Sequence, residues 1–335
     1  MVPSDFVLSG TAVSRGTRAL INIPVAKLYT GTDMSIPVHV IRGKRAGPTL
    51  FISAAIHGDE LNGIEIIRRL QLQETLNAIK GTLILVPMVN VFGVLNQSRY
   101  LPDRRDLNRC FPGSQKGSLA GRLANLFLTE IVQKCDYGID LHTGAIHRSN
   151  LPQIRANLDD PQTKALAEAF GVPVLLNSNL RDGSLRQAAD DSGVKILLYE
   201  AGEALRFDEL CIRAGLRGVL DVMRHLGMIR KVKRKQKLEP FEARSSSWIR
   251  ATESGIVRLL KNLGERVKQG EEIAKIYDPN GHRVETIYAK HEGIVIGRLN
   301  IPLVQEGDAL MHVAMFTLAS EVAEHVEIMH EIFED

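Results

Sequence analysis

Cysteine is scarce in this chain. Its 335 residues hold three, Cys110, Cys135 and Cys211, too few and too scattered for a disulfide framework. Such usage fits a reducing cytoplasm. Met1–Gly10 lacks the basic start and apolar run of a signal peptide. No apolar stretch reaches the length of a membrane span. An excess of either charge is also missing: the net charge is +3, with basic residues mostly dispersed, which does not argue for nucleic acid. One basic run, Arg230–Lys237 (RKVKRKQK), has none of the interleaved aromatics that a single-strand binder uses, and reads as a solvated linker. What is present, 44% hydrophobic and 24% charged residues, is typical of a soluble globular protein. The length suits one large domain plus a small one.

Up to about residue 240, short apolar runs alternate with helical patterns. Val38–Arg42, Thr49–Ile56, Thr82–Val89, Tyr137–Leu141, Pro173–Leu176 and Lys195–Tyr199 read as strands. Segments 60–78, 118–134, 161–170 and 209–226 read as helices; in the second, Leu119, Leu123, Leu126, Phe127 and Ile131 recur at helical spacing. This alternation predicts an α/β fold with a mixed, largely parallel sheet flanked by helices. From Trp248 to Leu318 the texture changes to short strands punctuated by glycine. Two segments there resemble each other, ESGIVRLLKNLGERVKQGEEIAKI and HEGIVIGRLNIPLVQEGDALMHV. They form a weak internal repeat of the kind seen in the barrel-sandwich hybrid of biotinyl and lipoyl carriers. The hairpin between the halves, Asp278–Arg283, has no modifiable lysine, so carrier function is not expected. Residues 1–238 are read as a catalytic domain and 239–335 as a small β domain with a helical tail, a structural lid or an element for homo-oligomer formation.

The chemistry concentrates at strand ends. His57 and Glu60 follow one apolar run, in FISAAIHGDELNG, and His142 follows another, in YGIDLHTG. Two imidazoles and a carboxylate suit a catalytic zinc, which keeps a further position open. Glu200, in ILLYEAGE, ends a third run and is placed to take a proton from water at the metal. Active sites of such sheets lie beyond the carboxyl ends of strands. Between the early and late candidates lies NQSRYLPDRRDLNRCFPG. Arg109 can clamp a carboxylate, and Asn108 adds a donor and an acceptor. Arg99 can stabilise a developing oxyanion. Loop salt bridges are the alternative for these arginines.

Taken in order, His57-x-x-Glu60, Arg99 with Asp106-Leu107-Asn108-Arg109, Asp140-Leu141-His142 and Glu200-Ala201-Gly202 resemble the succinylglutamate desuccinylase/aspartoacylase family of the zinc carboxypeptidase superfamily. The resemblance extends over most of the chain. It implies that His57, Glu60 and His142 bind one zinc ion, that Glu200 is general base and then acid, that Arg99 polarises the scissile carbonyl, and that Asn108 and Arg109 hold a substrate carboxylate. Arg104 and Arg105, also in the loop, are alternatives for Arg99. Arg155 is a further candidate substrate contact, and Asp140 a group that orients a ligand or caps an element. The expected reaction is hydrolysis of an N-acyl amino acid or related small amide without an acyl-enzyme. A carboxypeptidase acting on a short peptide or γ-linked amide, and a non-catalytic binding protein, are the alternatives.

Other residues carry plainer readings. His147 is taken as a solvated loop residue, Asp59 as a helix N-cap in preference to a group supporting the adjacent ligands, Glu65 as surface, and Glu203 as a cap or entry charge. His225, His282, His291 and His312 are read as structural or exposed. The loop 151–160 and the stretch 177–191 are expected to shape the pocket.

Overall fold

All six apolar runs read as strands pair into one sheet. The computed structural model describes residues 5–178, 182–232 and 238–334. Positions 233–237 of the basic run and 179–181 of the second pocket stretch lie outside them. The first part of the chain contains β1 (Phe6–Leu8), β2 (Thr11–Val13), β3 (Arg18–Lys27), β4 (Asp33–Arg42), β5 (Arg45–Ala54), α1 (Asn62–Gln71), β6 (Lys80–Val86), α2 (Val91–Leu95), α3 (Leu119–Glu130), β7 (Tyr137–Gly144), β8 (Arg148–Ala156), α4 (Pro161–Phe170), β9 (Val174–Asn177), α5 (Leu185–Asp191), β10 (Lys195–Glu203) and α6 (Glu209–His225). The remainder contains β11 (Phe241–Ala243), β12 (Ser245–Arg250), β13 (Gly255–Leu259), β14 (Arg266–Val267), β15 (Glu272–Tyr277), β16 (Arg283–Tyr288), β17 (Gly293–Leu299), β18 (Leu303–Val304), β19 (Ala309–Met315) and α7 (Ala319–Glu334). Among the described residues no helix is long and apolar enough to cross a membrane.

The main sheet runs β12-β19-β17-β8-β10-β7-β5-β6-β4-β3. Its centre, β6-β5-β7-β10, is parallel; β8 and β4 run antiparallel on either side. Because strand side chains alternate between faces, β5 feeds two cores. Leu50, Ile52 and Ala54 pack with α1, α4 and α6, whereas Phe51 packs with α3 and α5. Gly63, in the first turn of α1, lets that helix sit hard on the sheet: a Cβ there would lie 2.7 Å from Ala54 Cβ and 2.8 Å from Leu141 Cβ. That contact brings the turn holding His57 and Glu60 up to the end of β7.

The internal repeat is visible strand by strand, with β13, β14 and β15 answering β17, β18 and β19. The halves exchange short strands, since β14 pairs with β17 and β18 with β13. Strands β16-β15-β13-β18 form a second sheet, and Val257, Ile276, Val295 and Leu310 belong to the core of this C-terminal β module. One feature differs from a separate lid: β17 pairs directly with β8, so the main sheet continues into the module. The segment read as a loop, 151–160, is largely strand β8; its polar composition and Pro152 mask the alternation.

Candidate metal centre

His57 reaches the site through a strained turn. Just past β5, Ala55 adopts a left-handed φ of 53°, which costs a non-glycine residue about 1–2 kcal/mol. Bonds from Val89 N to Ala54 O (3.0 Å) and from Asn90 N to Ala55 O (2.9 Å) hold it there. The chain then closes a turn through Glu60 N donating to His57 O (3.2 Å). The N-cap of α1 is Leu61, with no side-chain cap. Asp59 is therefore not the helix cap; its carboxylate is buried and burial raises its pKa. His142 arrives on β7 and Glu200 on β10, directly opposite each other in parallel register.

His57, Glu60 and His142 are all buried, and their ligand atoms lie within 4.8 Å of one another. Glu60 lies between the two rings: its Oε1 is 2.6 Å from His57 Nδ1 and its Oε2 is 2.8 Å from His142 Nδ1. The other ring nitrogens face carboxylates. His57 Nε2 lies 3.0 Å from Asp106 Oδ1, and His142 Nε2 lies 2.7 Å from Asp140 Oδ2. Asp140 is itself fixed by the Ser53 hydroxyl, which donates at 2.7 Å. Both rings thus present Nδ1 to a common centre, each oriented by a carboxylate behind it.

Charge counting tests whether a metal fits. Glu60, Asp106 and Asp140 bring three negative charges, and Arg99, bonded to Asp106 and Glu60, brings one positive. Two positive charges are wanting. Two imidazolium protons supply them, or one divalent cation with neutral imidazoles. Burial alone would lower the pKa of His57, but the Glu60 charge and the bonds to Asp106 and Glu60 outweigh it and raise it. His142 is likewise raised, its burial outweighed by Asp140 and Glu60. Burial would raise the Glu60 carboxyl, yet the two imidazoles hold it well below the usual range. Two ring nitrogens and a carboxylate within 4.8 Å of one another, each ring backed by a further carboxylate, form a donor set that fits zinc, as well as other divalent ions.

The triad opens into a cavity of about 380 Å³. Arg99, Asn108, Arg109, Arg155 and Glu200 all line it, so every site residue proposed from sequence converges there. Arg99 donates to Asp106 Oδ2 (3.0 Å) and to Glu60 Oε1 (3.3 Å). Arg104 and Arg105 are exposed and do not line the cavity, so of the three arginines considered for the carbonyl Arg99 alone lines it. Asp106 caps the 107–109 turn by accepting from Asn108 N (2.9 Å). Asn108 Oδ1 accepts from Leu185 N (2.8 Å), so its amide nitrogen is the group left for a ligand. Arg155 has a buried Nε with no hydrogen-bond partner among the described residues.

Among the lining residues not singled out from the sequence, Arg148, Asn150 and Trp248 lie outside the segments expected to shape the pocket, whereas Ser178, Ser184 and Arg186 come from the expected stretch 177–191. Arg186 sits at the start of α5, behind the Ser184 N-cap, and burial followed by the nearby Arg155 charge lowers its pKa. Asn150 Nδ2 donates to Glu200 Oε2 at 2.7 Å. Trp248 comes from the C-terminal module, with the Arg148 guanidinium 5.6 Å from its ring centre. Elsewhere, His147 is exposed, as read, and its N–H donates to Glu203 Oε1 (2.9 Å). Glu203 is buried and joins that turn to Asn300 of the module. Glu65 is not a free surface group: Arg68 (2.6 Å) and Arg69 (2.7 Å) cover its carboxylate. His312 is buried; His225, His282 and His291 are exposed.

Fold and site together define an α/β protein with a metal-competent His–Glu–His centre in an arginine-lined cavity. The chain belongs to the succinylglutamate desuccinylase/aspartoacylase family: the model of that family's catalytic domain matches residues 46–226. It is 27% identical over 292 residues to the N-alpha-acetyl-L-2,4-diaminobutyric acid deacetylase of Halomonas elongata, covering 83% of this chain and 85% of the relative. Among solved structures, a succinylglutamate desuccinylase/aspartoacylase from Rhodobacter sphaeroides superposes with a TM-score of 0.79 at 27% identity, over 89% of this chain and 96% of that one. The product-bound ectoine utilization protein of Ruegeria pomeroyi shares the fold, with a TM-score of 0.79 at 22% identity, over 89% and 94% of the two chains.

Proposed function

We propose that this protein is a zinc-dependent deacylase that hydrolyses the amide of an N-acyl amino acid or a related small, carboxylate-bearing amide. The observation that carries this reading is the buried His57–Glu60–His142 cluster, whose ligand atoms converge within 4.8 Å and open beside Glu200 into a cavity rich in arginine. The family and the deacetylase relative support the same class of reaction. On this reading residues 1–238 form the catalytic domain and 239–335 the β domain that walls its entrance.

His57, Glu60 and His142 would hold the ion, which supplies a Lewis acid that polarises a carbonyl and acidifies water. Glu200 accepts the proton of the attacking water and delivers it to the departing amine as the C–N bond breaks. Arg99 stabilises the negative charge that develops on the carbonyl oxygen. The Asn108 amide, Arg109, Arg155 and Arg186 hold substrate carboxylates through charge-assisted hydrogen bonds. A cavity of about 380 Å³ walled by Trp248 favours a small amide over a peptide. Release of free amine from N-acyl amino acids, compared with dipeptides bearing a free C-terminus, tests the choice. Turnover confined to dipeptides would replace the deacylase with a carboxypeptidase.

A further inference from the structure

One cross-strand row joins the C-terminal module to Asn150, whose side chain bonds Glu200. Gly202 of β10 stands opposite Asn150 of β8, and Asn150 opposite Gly297 of β17. Gly297 in turn faces His312 of β19, and His312 faces Trp248 of β12. Residues directly opposite on neighbouring strands project from one face of a sheet. Asn150 and Trp248 both line the cavity, so that face is the site. At one end Asn150 Nδ2 donates to Glu200 Oε2 at 2.7 Å. At the other, the His312 and Trp248 rings lie stacked, with centroids 4.6 Å apart and planes 9° apart.

Gly297 is the gap that lets the two ends meet. A Cβ there would lie 3.0 Å from His312 Cβ, 3.1 Å from Asn150 Oδ1 and 3.4 Å from Trp248 Cη2. The stacked rings and the Asn150 carboxamide oxygen therefore all crowd the space that a side chain at 297 would fill. Asn150 is 7% exposed, and the bond to Glu200 gives its amide nitrogen a fixed direction.

We propose that Asn150 is a positioning residue for Glu200, and that the C-terminal module sets it through Gly297 and the His312–Trp248 stack. The module then does more than narrow the entrance: it orients the base. This inference rests on the assignment of Glu200 as base. A charge-assisted hydrogen bond of this kind corresponds to a rate effect of about 10- to 100-fold.

The test uses full-length, metal-loaded protein and N-acetyl amino acids that the wild type turns over. Asn150→Ala is expected to lower kcat by about 10- to 100-fold, with KM and metal content unchanged. Asn150→Asp should be worse, because it sets a second carboxylate against Glu200. Gly297→Ala should lower kcat more mildly, and the double variant Gly297→Ala/Asn150→Ala should be no slower than Asn150→Ala alone, as two residues acting through one contact are not additive. Asn150→Ser, which keeps a short donor, serves if the alanine variant does not fold. An unchanged kcat in Asn150→Ala, or a change in KM alone, overturns the positioning role. Multiplicative losses in the double variant overturn the part assigned to the module. Glu200→Gln is the control: full turnover there removes the base assignment itself, whereas its loss alongside an unaffected Asn150→Ala removes only the present inference.

Discussion

Arg99 Nη1 reaches within 3.3 Å of Glu60 Oε1, so the arginine assigned to the carbonyl oxygen also touches a carboxylate assigned to the metal. Its other bonds, to Asp106, keep the guanidinium pointed there while 25% of the side chain stays exposed and the residue lines the cavity. Arg99→Met should therefore lower kcat by about 10²–10³-fold while metal stays bound. Arg104→Ala, on the exposed side of the loop, should leave turnover unchanged. Steady-state kinetics with metal analysis separates the two. Equal losses from both substitutions would return the role to the loop as a whole.

Asp106 and Asp140 hold the far nitrogens of the two histidines. Asp106→Asn and Asp140→Asn should each weaken metal affinity by about 10- to 100-fold, measured by competition with a chelator. Glu60→Gln should do more, because it removes a ligand. An unaltered affinity in both asparagine variants would show that the rings are oriented by packing alone.

The Arg155 charge lies close enough to work against that of Arg186, and neither arginine has a carboxylate bonded to it among the described residues. An anionic substrate relieves that repulsion. Arg186→Leu should raise KM for substrates with a second carboxylate by about 10- to 100-fold and leave their one-carboxylate analogues nearly untouched. A uniform rise across both sets would place Arg186 outside substrate recognition.

His312 gives a stability signature. Burial, then the Arg155 charge, push its pKa down from 6.5 to about 3. Above pH 6.5 the ring is neutral in folded and unfolded chains alike. As the pH falls from 6.5 towards 3, the unfolded chain takes up a proton that the folded one refuses, and stability is lost. His312→Gln should flatten the dependence of the urea midpoint on pH across that window. An identical slope in both proteins would mean that other groups govern acid unfolding.

The sequence was most legible where local pattern and chemistry coincide. His57, Glu60, His142 and Glu200 each follow an apolar run long enough to read as a strand, and strand ends are where such sheets place their sites. The parallel centre and the repeat within the module were readable for the same reason. Asn150 was hidden because β8, RSNLPQIRA, is polar at its start and interrupted by proline, and its pairing with β17 spans some 150 residues of sequence. Arg186 lies within the stretch expected to shape the pocket, but on a short helix whose local pattern does not single it out. Trp248 enters the cavity only because the main sheet continues into the module, a fact of long-range pairing. Asp59 was misread since a capping residue type stood near a helix start, whereas the turn uses the position to deliver Glu60.

The most direct measurement is metal content of the purified protein together with hydrolysis of an N-acyl amino acid panel, for wild type and Glu200→Ala. Metal-dependent deacylation requires about one zinc per chain in both proteins, with turnover in the wild type alone. A protein that binds no divalent metal, and gains no activity when zinc is added, would contradict it and leave a binding protein on the same scaffold.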